Sequence, residues 1–353
     1  MTTRERVGAC LEHRDPDRVP LDGIFRPEVW SKLKRHFGSE SEDAIRDNLG
    51  IDFKVVVMDE SEEFLSTAEL APDGTMLKPC GDGVYETEWG VRRRFHENSN
   101  YYGYAFCPLA DESNLNTYRV PDLNAPGRFD RAAEEIKESK RDHFIRADVT
   151  TLFRHGWDLR GLEQWYEDLL LNPRFVEKLS DMLLEFKLEQ VRRFAEMGVD
   201  ILGVVGDISM KDNLMMPPDV WRRFFKSREI RLVEEGKKRG IRYFYFHSDG
   251  NLMPVMADLA EMGFNIVNPI QPECMDPEEV KRLFGERITL HGTISSQKTM
   301  PFGSVEDVRA EVRSRIEKLG SDGGLVLAPN NVVQYDVPLE NLLAMYETAR
   351  EGA

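Results

Sequence analysis

Tyr243-Phe-Tyr-Phe-His-Ser-Asp-Gly250 is the stretch on which the reading of this chain turns. Four aromatic residues in a row leave no polar face, so the segment predicts a strand covered on both sides, as in a parallel sheet packed between helices. His247 and Asp249 stand two apart, which in extended backbone puts both side chains on one face. Gly250 then lets the chain turn into the helical pattern that follows. A histidine at a strand end is also a common hydrogen-bonded core residue, and this stretch alone does not choose between the two.

Working outward, the same alternation recurs. Downstream, a helix over 251–262 leads to a strand at 265–269, a helix over 277–284 to a strand at 288–292, and a helix over 305–319 to a strand at 325–331, with a last helix over 338–349. Upstream, helices over 161–171 and 173–197 feed a strand at 199–207, and a helix over 217–239 feeds Tyr243. Before these come strands at 19–25, 53–58 and 144–150, with helices over 3–13, 28–37, 42–49 and 129–140. Eight strands joined mostly by helical patterns make an α/β chain of the (β/α)₈ barrel class. From 61 to 121 the helical spacing lapses, and residues 76–95 alternate around Gly81-Asp-Gly83 and Gly90, which predicts a small antiparallel sheet inserted after the second strand. The expectation is one barrel domain over 1–353 carrying that insertion. Its Arg92-Arg-Arg94 run reads as a solvated hairpin face or as a contact for an anionic substrate.

The 353 residues suffice for such a barrel, and 41% hydrophobic with 31% charged residues describe an ordinary globular chain. A formal charge of −16 opposes binding to nucleic acid or anionic membranes. No apolar run approaches the ~20 residues a membrane span needs, and Met1-Thr-Thr-Arg-Glu-Arg6 lacks the apolar core of a signal peptide, so a cytoplasmic protein is expected. Cys10, Cys80, Cys107 and Cys274 are scattered without metal-knuckle spacing and read as reduced thiols. No coiled-coil heptad run is present, and a monomer or homodimer is expected.

Barrel enzymes work at the carboxyl ends of their strands, which gathers the candidates without further assumption. Asp22 and Arg26, Asp59 and Glu60, Asp148, Asp207, His247 and Asp249, Asn268 and Gln271, His291, Asn330 and Asn331 all fall there. Of these His247, Asp249 and Asp207 are the candidates for catalysis, because an imidazole beside carboxylates can move a proton or hold an ion. Arg26, Asp148, Asn268, Gln271, His291 and Asn331 are the candidates for substrate binding. His291, followed by Gly292, could equally be a packed residue. No phosphate-cradling or dinucleotide glycine motif occurs, so no nucleotide cofactor is implied.

The motifs in order resemble the uroporphyrinogen decarboxylase superfamily, in its branch of decarboxylase-like and corrinoid-dependent methyltransferase proteins. The resemblance rests on Arg4-Glu-Arg-Val7 with Asp15-Pro-Asp-Arg-Val-Pro20, Leu159-Arg-Gly-Leu-Glu163, Gly206-Asp207, His247-Ser-Asp-Gly250, Asn268-Pro-Ile-Gln-Pro272, and Gly323-Gly-Leu-Val-Leu-Ala-Pro329 with Pro338-Leu-Glu-Asn341. It implies a barrel, a small-molecule substrate and, in the methyltransferases, a separate corrinoid protein as partner. True decarboxylases of the superfamily grip tetrapyrrole carboxylates with an arginine-rich N-terminal segment, where this chain offers Arg26. The thiol methyltransferases hold zinc through a His-x-Cys pair and a later cysteine, where this chain has His247, Asp249 and Asn331. A metal, if held, would then meet His247 and Asp249 with oxygen rather than sulfur ligands. The reading that follows is removal of a methyl group from a small O- or N-methyl donor for transfer to a corrinoid protein. A decarboxylase of a small or tetrapyrrole carboxylate is the alternative, and a ligand-binding barrel without catalysis the third.

Overall fold

The computed structural model describes residues 1–96 and 101–351. Seven parallel strands lie side by side in chain order: Phe53–Val56, Phe144–Thr150, Ile201–Val205, Tyr243–His247, Ile266–Asn268, Thr289–His291 and Leu325–Val326. Segment 19–25 bridges the last of them to the first. On one side Asp22 N donates to Leu327 O and Leu327 N to Pro20 O; on the other Asp52 N donates to Leu21 O. With that segment as the eighth stave the sheet is a closed (β/α)₈ barrel. The sequence suggested an ordinary strand there, but only isolated bridges form, at Leu21–Leu327 and Phe25–Val333. Pro20 has no N–H to donate, which interrupts the ladder.

The period of two in Tyr243–His247 sorts its side chains. Phe244 and Phe246 are fully buried in the cluster shared with the surrounding helices. Tyr243 and Tyr245 belong to a second cluster with Phe53, Phe144, Ile201 and Ile266 from the other strands, which is the filling of the barrel. Val7, Cys10 and Leu11 of the helix Thr3–Leu11 join that cluster, so the first helix plugs the amino-terminal end. The carboxyl-terminal end is left for polar groups, and His247 is the next residue in the inward series.

The antiparallel insertion consists of Glu69–Leu70, Met76–Gly81, Val84–Glu86, Arg92–His96 and Tyr101–Phe106, paired in that order. Within the expected excursion, residues 97–100 lie outside the described ones. Its arginine run is spent on local partners: Arg92 pairs with Glu86, Arg93 with Asp158, and Arg94 donates to Asp82 O. Among the described residues no helix is long and apolar enough to cross a membrane.

Directly after Thr150 comes a helix the sequence pattern did not suggest, Leu152–Arg160, capped by the Thr151 side chain. Gly156 in its middle conceals it, since an interior glycine costs about 1 kcal/mol against alanine. The structure gives the reason for the glycine: a Cβ there would lie 2.4 Å from the Trp165 ring. The helix is seated by a buried polar group. Lys187 Nζ lies 3.0 Å from His155 Nδ1, and Glu229 accepts from Leu152 N at 3.0 Å. Burial pushes the Lys187 ammonium down to about 7 and the Glu229 carboxyl up to about 7. Between pH 7 and 10 an unfolded chain keeps the Lys187 proton that the folded chain has lost, so this residue adds stability as pH rises. Urea unfolding of the protein beside Lys187→Met is therefore expected to show the wild type gaining on the variant from pH 7 to 10. A constant difference would contradict the assignment.

Candidate active site at the barrel mouth

The layer above Tyr245 is polar and comes from five staves. Arg146 and Asp148, two apart on one face of Phe144–Thr150, share it with His247, Asn268, His291 and Asp22. Arg146 is the floor, with its guanidinium 4.1 Å from the Tyr245 ring centroid, 3.0 Å from Asp148 and 3.6 Å from Asp22. Burial disfavours the charge, but Asp148, Tyr245 and Asp22 together outweigh it and hold Arg146 above its ordinary pKa. Asp22 is likewise held low: burial works against the carboxylate, and His291 and Arg146 more than offset it. Gly203 on the neighbouring strand makes room, since a Cβ there would lie 1.9 Å from Asp148 Oδ1.

From this ion pair a row of hydrogen bonds climbs to the mouth. His291 Nε2 meets Asp22 Oδ2 at 3.0 Å, Asn268 Nδ2 meets His291 Nδ1 at 2.7 Å, and His247 Nδ1 meets Asn268 Oδ1 at 2.6 Å. Burial keeps His291 below its ordinary pKa, Asp22 notwithstanding, so the ring is neutral near pH 7. At the top His247 Nε2 lies 4.0 Å from Asp249 Oδ1. Asp249 is tied from two sides: its N–H donates to Asp207 Oδ1 at 2.9 Å and its Oδ2 accepts from Asn331 Nδ2 at 2.6 Å. Burial chiefly, and then the charge of Asp207, push the Asp249 carboxyl above its usual range, against the pull of His247 and Asn331.

The row borders a cavity of about 220 Å³ whose remaining wall combines Ile24, Val205, Ala328, Pro329 and Val332 with the amides of Asn330 and Asn331. The space suits a small molecule with an uncharged body. Asp207, His247 and Asp249 each bring one ligand atom within 4.8 Å of the others. Asp249 Oδ1 is buried and has no hydrogen-bond partner among the described residues. One imidazole nitrogen with two carboxylate oxygens fits a divalent cation that accepts hard ligands, so these residues are compatible with a metal.

The structure thus brings together seven of the nine candidates for catalysis and binding and leaves two apart. His247, Asp249 and Asp207 meet as a cluster; Asp148, Asn268, His291 and Asn331 border the cavity beside it. Arg26 is not among the cavity's lining residues; it precedes the helix Pro27–Phe37, and its N–H donates to Val333 O. Gln271 is buried and accepts from Gly250 N at 3.1 Å, so it shapes the turn after Asp249 and borders a second, polar cavity on that residue's far side. Arg146 and Tyr245 were missed. The signal for Arg146 was available, because it stands two before Asp148 in an otherwise apolar strand and must share its inward face.

Comparison with known proteins agrees with this architecture. A methyltransferase from Methanosarcina mazei superposes with a TM-score of 0.72 at 20% identity over 99% of both chains. A B12-independent methionine synthase from a Shewanella species superposes with a TM-score of 0.51 at 13% identity over 98% of this chain and 97% of its own. Both likenesses concern the fold. In sequence, the methylcobamide:CoM methyltransferase MtaA of Methanosarcina barkeri is 27% identical over 189 residues, 53% of this chain and 52% of its own. Its counterpart from strain Fusaro is 26% identical over the same length. The chain spans about half the length of the curated relatives it matches. The family description Uroporphyrinogen decarboxylase (URO-D) matches residues 148–352, more than half the sequence and the mouth residues from Asp148 onward, and the chain belongs to that family.

Proposed function

We propose that this protein is a methyltransferase that takes a methyl group from a small O- or N-methyl donor and passes it to a corrinoid protein. The observation that carries the reading is the Asp207, His247, Asp249 cluster, whose His247 lines the partly apolar mouth cavity and whose Asp249 lines the polar cavity beside it. In the reaction the bond between methyl carbon and heteroatom breaks, the methyl goes to the corrinoid, and the electron pair stays on the departing oxygen or nitrogen. That atom then needs a proton or a cation. A raised Asp249 carboxyl is suited to give the proton, and His247 Nε2, 4.0 Å from it, can take up the next proton and pass it on. A divalent metal held by His247, Asp249 and Asp207 would supply Lewis-acid stabilisation of the same atom. The similarity to methylcobamide:CoM methyltransferases supports the corrinoid as partner. Asp249 and Asn331 are hydrogen-bonded to each other, and this oxygen-rich pair favours a hard leaving atom over a thiolate.

Decarboxylation of a polycarboxylate draws less support. The arginine at the cavity floor, Arg146, already faces Asp22 and Asp148, and its charge is not free for a substrate carboxylate. The test is to incubate the protein with a reduced corrinoid protein and a panel of methoxylated and N-methylated compounds while recording the cobalt absorption. At least one donor is expected to convert the spectrum; a panel without any effect would contradict the proposal.

A further inference from the structure

We infer that Asn268 is a positioning residue that fixes His247 with its proton on Nδ1, so that Nε2 is the atom presented at the barrel mouth. The argument runs upward from the buried ion pair. Arg146 between Asp22 and Asp148 keeps Asp22 ionised, and an ionised carboxylate can only accept. His291 Nε2, 3.0 Å away, must therefore carry the proton of that bond. A neutral imidazole with Nε2 protonated has a lone pair at Nδ1, so Asn268 donates to it from Nδ2 at 2.7 Å. The amide orientation has a second support: Nδ2 is 3.5 Å from His291 O, a position an amide oxygen would avoid. Asn268 Oδ1 then faces His247 Nδ1 at 2.6 Å and, being a carbonyl oxygen, accepts from it. Each partner leaves the next one a single choice, and the last choice leaves the lone pair of His247 on Nε2, toward Asp249.

The surroundings hold the row in place. Asp22, Asn268 and His291 are all buried, and an unmade bond in any of them would be costly. Gly292 lies against the amide: it has a φ of +70°, and a Cβ there would come within 2.5 Å of Asn268 Nδ2. Histidine ligands of metals and histidine bases depend on such a partner at the other ring nitrogen. The use made of Nε2 rests on the proposed function; the tautomer itself does not.

The experiment is ¹⁵N-histidine labelling of the full chain and long-range ¹H–¹⁵N correlation of the ring nitrogens, with assignments from His247→Gln and His291→Gln. The wild type is expected to show His247 protonated on Nδ1 and His291 on Nε2. Asn268→Asp keeps an acceptor and is expected to keep the His247 pattern. Asn268→Leu keeps the volume without the acceptor, and its His247 is expected to shift toward the Nε2-protonated form favoured in water. Zinc alone, titrated calorimetrically into the same proteins, is expected to bind about 10–100-fold more weakly to Asn268→Leu than to the wild type, and with little change to Asn268→Asp. His247 protonated on Nε2 in the wild type would overturn the inference, and so would unchanged His247 signals in a folded Asn268→Leu. The wild-type spectrum and Asn268→Asp keep the question decidable should Asn268→Leu not fold. The expected tautomers in a protein that neither binds zinc nor transfers methyl would leave this inference standing and defeat the functional reading instead.

Discussion

His247→Ala is expected to lower methyl transfer by about 10²–10⁴-fold, the range for loss of a group that moves a proton in the transition state. The loss is larger if a metal departs with the imidazole. The barrel should remain folded, because His247 is half-buried at the mouth while the filling of the barrel is made by Tyr243, Tyr245 and their neighbours below it. Its bond to Asn268 is the main contact given up, and a single hydrogen bond contributes about 1 kcal/mol. Turnover and thermal unfolding measured on the same preparation separate the two effects. A variant that keeps a tenth or more of the wild-type rate would remove His247 from the chemistry, and one that fails to fold would make it a structural residue.

Arg146→Leu is expected to act in the opposite manner, through stability. Its guanidinium is buried between the buried carboxylate of Asp22 and the half-buried one of Asp148, and removing it leaves both uncompensated. Breaking one side of a buried ion pair costs about 3–5 kcal/mol. The sign of the pH dependence follows. Without Arg146, burial is left to raise the folded-state pKa of Asp22 above the unfolded one, so protonation favours the folded variant. The deficit relative to wild type should therefore be greatest at pH 7 and should shrink as pH falls toward 5. Equilibrium unfolding in urea at the two pH values checks both statements; a deficit below about 1 kcal/mol at pH 7 would mean that the pair is a minor element of the barrel.

Most of the barrel could be read from hydrophobic period alone. Tyr243–His247 and Phe144–Thr150 are the strands the sequence led one to expect, because buried parallel strands carry an unbroken apolar run. Segment 19–25 was legible as a stave but not as a broken one, since the closing bonds at Pro20, Leu21 and Asp22 depend on partners some 30 and 300 residues away. Leu152–Arg160 escaped because Gly156 is a poor helix residue whose reason, the Trp165 ring, is a tertiary contact. In the mouth, spacing marked His247 with Asp249, and position at strand ends marked Asp207, Asn268 and His291. What spacing could not convey was that Asn268 and His291 join His247 to Asp22, or that Arg146 neutralises the floor, since these bonds cross between strands. Arg26 is the converse case, a residue of the first stave that does not line the cavity and whose N–H donates to Val333 O.

The central claim is that the mouth cluster transfers a methyl group to a corrinoid. Its most direct test uses a donor bearing a CD₃ group, chosen from those that change the cobalt spectrum, followed by mass analysis of the corrinoid after a single turnover with the wild type and with His247→Ala. The account predicts CD₃ on the corrinoid with the wild type and a demethylated donor in equal amount, with both reduced together in the variant. Loss of carbon dioxide from the donor with its CD₃ group intact, or equal CD₃ transfer by the two proteins, would contradict it.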